Sequence, residues 1–240
     1  MSVTPYSHSK DTKKQQVAEM FDAISGKYDF LNRSLSFGID VYWRKKMVWE
    51  LKKMKPQSIL DIATGTGDVA LTMQQLHPEK IIGVDISDGM LEIGREKIQR
   101  KGLQEIIQLQ NGDSENLQFA ANSFDAITVA FGVRNFENLS KGLSEMHRVL
   151  RPGGKVVILE FSKPKIFPIK QLYNFYFKYF CPWFGKLISK DTSAYQYLFD
   201  SVKAFPEGKQ FTDIAEKSGF SKMNCERVTF GIVSLYTAVK

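Results

Sequence analysis

One stretch, Ser58-Ile-Leu-Asp-Ile-Ala-Thr-Gly-Thr-Gly-Asp-Val-Ala70, limits what this chain can fold into more than any other. Ser58 to Ile62 is a short apolar run bounded by turn formers, the pattern of a buried strand. Gly65 and Gly67 let the backbone turn where a Cβ would obstruct it. From Asp68 onward, Val69, Leu71 (or Ala70) and Leu76 take up helical spacing. A strand that passes through a glycine loop into a helix leaves backbone N–H groups beside the positive helix end, where nucleotide-like ligands bind.

A second strand, Lys80-Ile-Ile-Gly-Val-Asp85, ends in a carboxylate eighteen residues beyond Gly67. At that spacing a βαβ unit brings an acid to a ribose, where it accepts from both hydroxyls. Two cofactor classes fit. In a dinucleotide site, Gly65-x-Gly67-x-x-Ala70 cradles a pyrophosphate. In an S-adenosylmethionine site, the loop lies under the amino-acid part of the cofactor and no phosphate is present. The loop alone does not separate them.

The rest of the chain continues the alternation. Residues 1–14 are polar and are expected as a disordered tail. Val17, Met20, Phe21, Ile24, Tyr28, Leu31 and Leu35 recur at helical spacing, with Gly26 expected to interrupt them, and a second helix starts near Asp40. Ser87 is placed to N-cap the helix after strand two. A third strand is expected at 106–110, a fourth at 124–130 and a fifth at 155–161, with a helix at 139–150 before the last. Five strands alternating with helices make a doubly wound parallel sheet. Two β-rich runs, 224–228 and 232–239, are close enough to pair antiparallel. The organisation expected is one domain over 15–240, with a helical lid at 15–55 and an aromatic insertion at 163–205.

Composition narrows the function classes. Two cysteines, Cys181 and Cys225, form no C-x-x-C pair, and the histidines His8, His77 and His147 have no metal-ligand spacing; no metal is expected. No signal peptide is evident, so a cytoplasmic setting follows. The net charge of +7 suits nucleic acid, an anionic membrane face or simple solubility. Without an RNA-binding aromatic signature or an arginine-rich run, nucleic acid is set aside. The segment Ile166 to Gly185 is dense in aromatics, interrupted by Lys170, Lys178 and Pro182, and too short and polar to span a bilayer. It reads either as core packed on the sheet edge or as a greasy entrance at a membrane interface, and the two can coexist.

Asp61, Asp85 and Asp113 all fall at or just past carboxyl ends of strands, where open α/β sheets bind ligands. Asp61 ends strand one beneath Gly65, Thr66 and Gly67. Asp113 suits an adenine amino group. Arg134 and Asn135 end the fourth strand in Ala130-Phe-Gly-Val-Arg-Asn135 and are expected to project into the same cleft.

With these residues in place the chain resembles the class I S-adenosylmethionine-dependent methyltransferases, and more narrowly the UbiE-type ubiquinone/menaquinone biosynthesis C-methyltransferases. Tyr28-Asp-Phe-Leu-Asn32 with Leu35-Ser36 and Trp43 is similar to that family's N-terminal signature. Arg148-Val-Leu-Arg-Pro-Gly-Gly-Lys-Val-Val-Ile-Leu-Glu-Phe-Ser162 is similar to its second signature, and Phe131-Gly-Val-Arg-Asn135 also resembles the family. Leu31 and Asp40 depart from it, standing where Met and His are common; the second casts doubt on an essential imidazole there. The resemblance implies cofactor contacts at Thr66, Asp85, Asp113 and Ser114. It also implies a prenylated benzoquinol or naphthoquinol, methylated on a ring carbon. Arg134, Asn135 and Tyr28 are the expected catalytic residues: Arg134 stabilising a phenolate, Asn135 orienting the ring and Tyr28 packing near the methyl. A prenylated quinol, a peripheral membrane contact and a homodimer are the partners to test. An NAD-linked oxidoreductase, a methyltransferase for another small hydrophobic acceptor and a non-catalytic scaffold are the alternatives.

Overall fold

Alternation along the strands builds two cores, one on each face of a single sheet. In the computed structural model, which describes residues 3–6, 8–180 and 193–240, strand β1 (Ser58–Ile62) sends Leu60 and Ile62 to one face and Ile59 to the other, all fully buried. β1 pairs in parallel with β2 (Lys80–Asp85) and β4 (Phe124–Ala130), β2 with β3 (Ile107–Asn111), and β4 with β5 (Leu150–Phe161). The hairpin of β6 (Ser221–Val228) and β7 (Val233–Val239) is antiparallel, with β7 lying against β5. Among the described residues the sheet has seven strands in the order β3-β2-β1-β4-β5-β7-β6. The chain winds outward from β1 in one direction and from β4 in the other, so a crevice opens between the carboxyl ends of β1 and β4.

Helices α2 (Ile39–Lys52), α3 (Asp68–Met73) and α4 (Asp88–Arg100) cover the Ile59 face through Trp43, Met47, Leu51, Val69, Leu91 and Ile98. α5 (Leu139–Val149) and α8 (Lys209–Lys217) cover the Leu60 face with Leu143, Met146, Phe211 and Ala215. Between β5 and α8, α6 (Ile169–Phe175) and α7 (Ser193–Ala204) form the described part of the aromatic insertion; its residues 181–192 lie outside the described chain. Ser87 caps α4 as its position foretells, its Oγ accepting from the Met90 N–H.

Three expectations are corrected. Helix α1 (Lys13–Leu35) passes through Gly26 without a break. A mid-helix glycine costs about 1 kcal/mol, and the helix is tied down on both sides of it. Asp22 Oδ1 accepts from Ser87 Oγ at 2.5 Å and Gly89 N at 2.9 Å, and Asp29 Oδ1 accepts from Thr66 Oγ1 at 2.5 Å. The tail is also folded over its described part. Pro5 is buried, the Tyr6 N–H donates to Gln16 Oε1 at 2.9 Å, and Thr12 and Gln15 form a capping box that starts α1. Finally, the two helices of the expected lid part company: among the described residues α1 lines the crevice through Lys14, Val17, Phe21 and Tyr28. α2 belongs to the core, because Met47 and Leu51 are fully buried against the sheet.

Candidate active site

Two glycines with positive φ, Gly65 (55°) and Gly67 (77°), turn the chain out of β1 and into α3. The turn aims the Gly65 N–H at Asp85 Oδ2, 2.8 Å away, while Ser87 N donates to Asp85 Oδ1 at 3.0 Å. Asp85 is therefore held at the end of β2 with lone pairs to spare on both oxygens, and burial pushes its pKa above the ordinary carboxylate value. Ala63 and Phe131, the first residues past β1 and β4, both sit in the left-handed region at φ 52° and 57°. Such conformations cost on the order of 1–3 kcal/mol in a non-glycine residue and gather at functional sites.

A first cavity fills this crevice. Gly65, Asp85, Met90, Asp113, Ser114 and Asn135 line it, and Lys14 of α1 lies across its Asp113 side, with about 70 Å³ left free. Lys14 Nζ is 2.6 Å from Asp113 Oδ2 and 3.6 Å from Glu115 Oε2. The acidic and basic side chains lining it are four carboxylates (Asp85, Asp113, Glu115 and Glu137) against that one ammonium. An acidic crevice repels a pyrophosphate and suits a ligand with cationic groups. Its donor set fits S-adenosylmethionine: a carboxylate at ribose position, an acid and a hydroxyl at the end of β3, an apolar floor, and no phosphate-binding cluster.

A second cavity of about 560 Å³ opens on the other side of Phe21, Tyr28 and Phe131, which line both. Its wall is apolar and aromatic, drawn from α1, α2, α6 and α7, with Leu35, Trp43, Leu172 and Tyr176 among its residues. Of the residues lining it, Phe37 is 75 % exposed and Phe175 63 % exposed. Arg134 lines this second cavity. Its Nη1 donates to Glu160 Oε1 at 2.7 Å and to the Phe131 carbonyl, and its guanidinium lies 5.5 Å from the Phe161 ring centre. Glu160 is fully buried and also accepts the N–H groups of Arg134 and Phe161. Arg134 Nε is buried and finds no hydrogen-bond partner among the described residues. The turn bearing Arg134 and Asn135 is held from α1 as well, since Lys13 Nζ donates to the carbonyls of Arg134 (3.0 Å) and Phe136 (2.8 Å). Burial there lowers the Lys13 pKa to about 8.

Of the residues singled out in the sequence, Gly65, Asp85, Asp113, Ser114, Asn135 and Tyr28 come together around the first cavity. Four do not. Asp61 is fully buried below the loop, accepting from Thr64 Oγ1 (2.6 Å) and Thr128 Oγ1 (2.7 Å); burial raises its pKa to about 7. Its place on β1 points it into the Ile59 face, so it braces the loop from beneath. Thr66 turns inward to Asp29 and Lys97, and Gly67 packs on Leu109 and Gly94. Arg134 reaches the second cavity rather than the first, and as half of an ion pair rather than a free cation. Sequence reasoning missed Lys13, Lys14, Glu160 and Tyr197. Only Glu160 had a signal, a lone carboxylate closing the apolar run 156–159 of a central strand, where an unpaired charge does not survive.

The family model of the ubiE/COQ5 methyltransferases matches residues 9–240. A demethylmenaquinone methyltransferase of Bacteroides fragilis is 52% identical over 239 residues, covering 99% of this chain and 97% of the relative. A ubiquinone/menaquinone biosynthesis C-methyltransferase of Geotalea daltonii is 47% identical over 230 residues, 95% and 97% of the two chains. Among solved structures, a SAM-dependent methyltransferase from Aquifex aeolicus superposes with a TM-score of 0.53 at 18% identity, covering 80% of this chain and 88% of that one. The fold is that of the class I methyltransferases: Rossmann-like, with a mostly parallel sheet and a C-terminal antiparallel hairpin.

Proposed function

This chain belongs to the ubiE/COQ5 methyltransferase family, and from that premise we propose that it transfers a methyl group from S-adenosylmethionine to a ring carbon of a prenylated quinol, converting demethylmenaquinol to menaquinol. The observation that carries the reading is the junction of two unlike cavities: an acidic crevice and a large apolar pocket share Phe21, Tyr28 and Phe131, with Arg134 lining the apolar side.

Asp85 would hold the ribose hydroxyls, Asp113 and Ser114 the adenine edge, and Gly65 would admit the amino-acid part without a Cβ in its path. When bound, S-adenosylmethionine supplies an electrophilic methyl carried on a sulfonium. The chain's own task is to make the acceptor carbon nucleophilic: the phenol gives its proton to water, and once the methyl has passed from sulfur to the ring carbon, that carbon's hydrogen leaves as a proton and one returns to the oxygen, restoring the quinol with one proton released overall. Ionising a phenol of pKa near 10 at pH 7 costs roughly 4 kcal/mol, three units at 1.36 each. Arg134 offsets part of that by turning its guanidinium to the ring oxygen in a cavity walled by Trp43, Phe131 and Phe161, where water is scarce and a hydrogen bond is stronger. Glu160 keeps the guanidinium in place while its charge is spared full exposure. Because Glu160 neutralises much of the cation, the ionised acceptor is stabilised by a directed hydrogen bond more than by net charge. Tyr28 separates the two cavities, and burial keeps its hydroxyl protonated by raising its pKa.

Incubating the purified protein with methyl-labelled S-adenosylmethionine and demethylmenaquinol should transfer the label to the quinone fraction. No transfer under reducing conditions refutes the reading, and label in a benzoquinol at a higher kcat/KM reassigns the substrate. NAD should not bind, since the acidic lining offers nothing to its pyrophosphate. The same reading includes a peripheral contact with an anionic bilayer at the cytoplasmic face, through Phe37, Leu172 and Phe175. Among the described residues no helix is long and apolar enough to cross a membrane. Co-sedimentation with vesicles containing anionic lipid tests the contact, and light scattering tests whether the chain pairs with a second copy.

A further inference from the structure

One buried hydroxyl joins the two cavities and has no part in the mechanism above. Tyr197, on α7, is 3 % exposed and lines the apolar pocket. Its hydroxyl donates to Asn135 Oδ1 at 3.1 Å, across 62 positions of sequence. Asn135 lines the first cavity, and its Nδ2 points to the Phe131 carbonyl at 3.4 Å. The amide therefore has a fixed sense: oxygen toward α7, NH₂ toward the wall between the cavities. The Phe131 carbonyl, which only accepts, sets that sense, and the Tyr197 hydroxyl anchors the oxygen end, so that the amide is held from both sides. Tyr197 also packs with Val17, Met20 and Ala194, so α7 and α1 close together over the turn that carries Asn135. Burial pushes its pKa up to about 12, which keeps the proton on the hydroxyl across the working pH range.

Building on the methyl transfer proposed above, we propose that Tyr197 is a positioning residue of that reaction: by holding Asn135 Oδ1 it presents one Nδ2 hydrogen to the Phe131 carbonyl and leaves the other at the wall where the two cavities meet, for the ring oxygen of an acceptor that reaches the methyl there. Tyr197 does not touch the reacting atoms in this scheme. It anchors the oxygen end of the amide and so fixes where the NH₂ end lies, and it makes the aromatic insertion part of the active site rather than only its wall.

Three variants test this: Tyr197→Phe, Asn135→Ala and the double. Loss of one orienting hydrogen bond should lower kcat on the order of tenfold in Tyr197→Phe, while KM for the methyl donor and the calorimetric Kd for S-adenosylhomocysteine stay within about twofold. Asn135→Ala should lose at least as much, and the double should match Asn135→Ala alone, since a residue that acts through Asn135 has nothing left to position. Wild-type kcat in Tyr197→Phe, or losses that multiply in the double, would overturn the proposal. Asn135→Asp serves as an independent check should Tyr197→Phe fold poorly. The carboxylate still accepts from Tyr197 but carries no hydrogens, so its loss should equal that of Asn135→Ala, and retained turnover would overturn the proposal too. If the unmutated protein transfers no methyl group at all, the fault lies in the proposed reaction, and the role given to Tyr197 falls with it.

Discussion

Replacing Glu160 with Gln should destabilise the protein more than removing the ion pair altogether. Glu160 is fully buried and the Arg134 side chain only 7 % exposed, with 2.7 Å between Nη1 and Oε1. In Glu160→Gln the guanidinium is stranded in a dry site. Breaking a buried pair from one side costs about 3–5 kcal/mol. For a chain of this size each kcal/mol lowers the melting temperature by about 2–4 °C, so a fall of at least about 6 °C is expected. In the double variant Arg134→Met with Glu160→Gln, no charge is left to strand. The remaining cost is an imperfectly paired backbone N–H, of Arg134 or Phe161, worth about 1–3 kcal/mol. The double should therefore be more stable than the single, by about 2 kcal/mol, although it carries one more change. Urea unfolding followed by circular dichroism reads the order directly. Turnover should be lost in both variants: in the single because the guanidinium is no longer held, in the double because the guanidinium is gone. If the two losses add, so that the double is the less stable protein, then the pair is not an isolated charge compensation and the account of Arg134 is wrong.

Asp61→Asn tests the carboxyl group buried under the loop. Its pKa of about 7 in the folded chain stands above the unfolded 3.8, so folding takes up a proton between those values. The stability from this group is fully present below pH 3.8 and is lost as pH rises through about 7. The advantage of the unmutated protein over Asp61→Asn should thus be larger at pH 5 than at pH 8, by about 2–3 kcal/mol from those two values, and thermal melts at both pH values check the sign. Lys14→Met should tighten S-adenosylhomocysteine binding about 1.5- to 5-fold by calorimetry, because it frees Asp113 from a half-exposed ion pair worth about 0.2–1 kcal/mol; weaker binding would show Lys14 to be a ligand contact instead. Gly26→Ala, at a helical site with nothing within 4 Å of the added methyl, should stabilise the protein by about 0.5–1 kcal/mol in a denaturant titration.

What the sequence disclosed, and what it hid, divides along physical lines. The parallel strands were legible because a strand covered on both faces is a continuous apolar run, as in Ile81–Val84 and Val156–Leu159. Asp85 and Asp113 were legible because the βαβ geometry alone sends strand ends to one edge. Side-chain direction was not: Asp61, on β1 beneath the loop, turns into the core because neighbours along a strand point to opposite faces, and Thr66, in the loop, turns away from the cavity to Asp29 and Lys97. The continuity of α1 through Gly26 was hidden because the anchors that outweigh the glycine, at Ser87, Gly89 and Thr66, lie far away in the chain. Glu160, 26 positions past Arg134, and Tyr197, 62 past Asn135, acquire their roles only when the sheet and the insertion bring them to one turn. Tyr197 stood among so many aromatics that no local pattern set it apart.

The most direct test is a crystal structure with S-adenosylhomocysteine bound. The ribose hydroxyls should lie within hydrogen-bonding distance of Asp85, the adenine beside Asp113, and the sulfur should face the wall of Tyr28 and Phe131 toward the apolar cavity. A ligand seated elsewhere, or one whose sulfur points away from that wall, would contradict the claim that the two cavities meet at the site of methyl transfer.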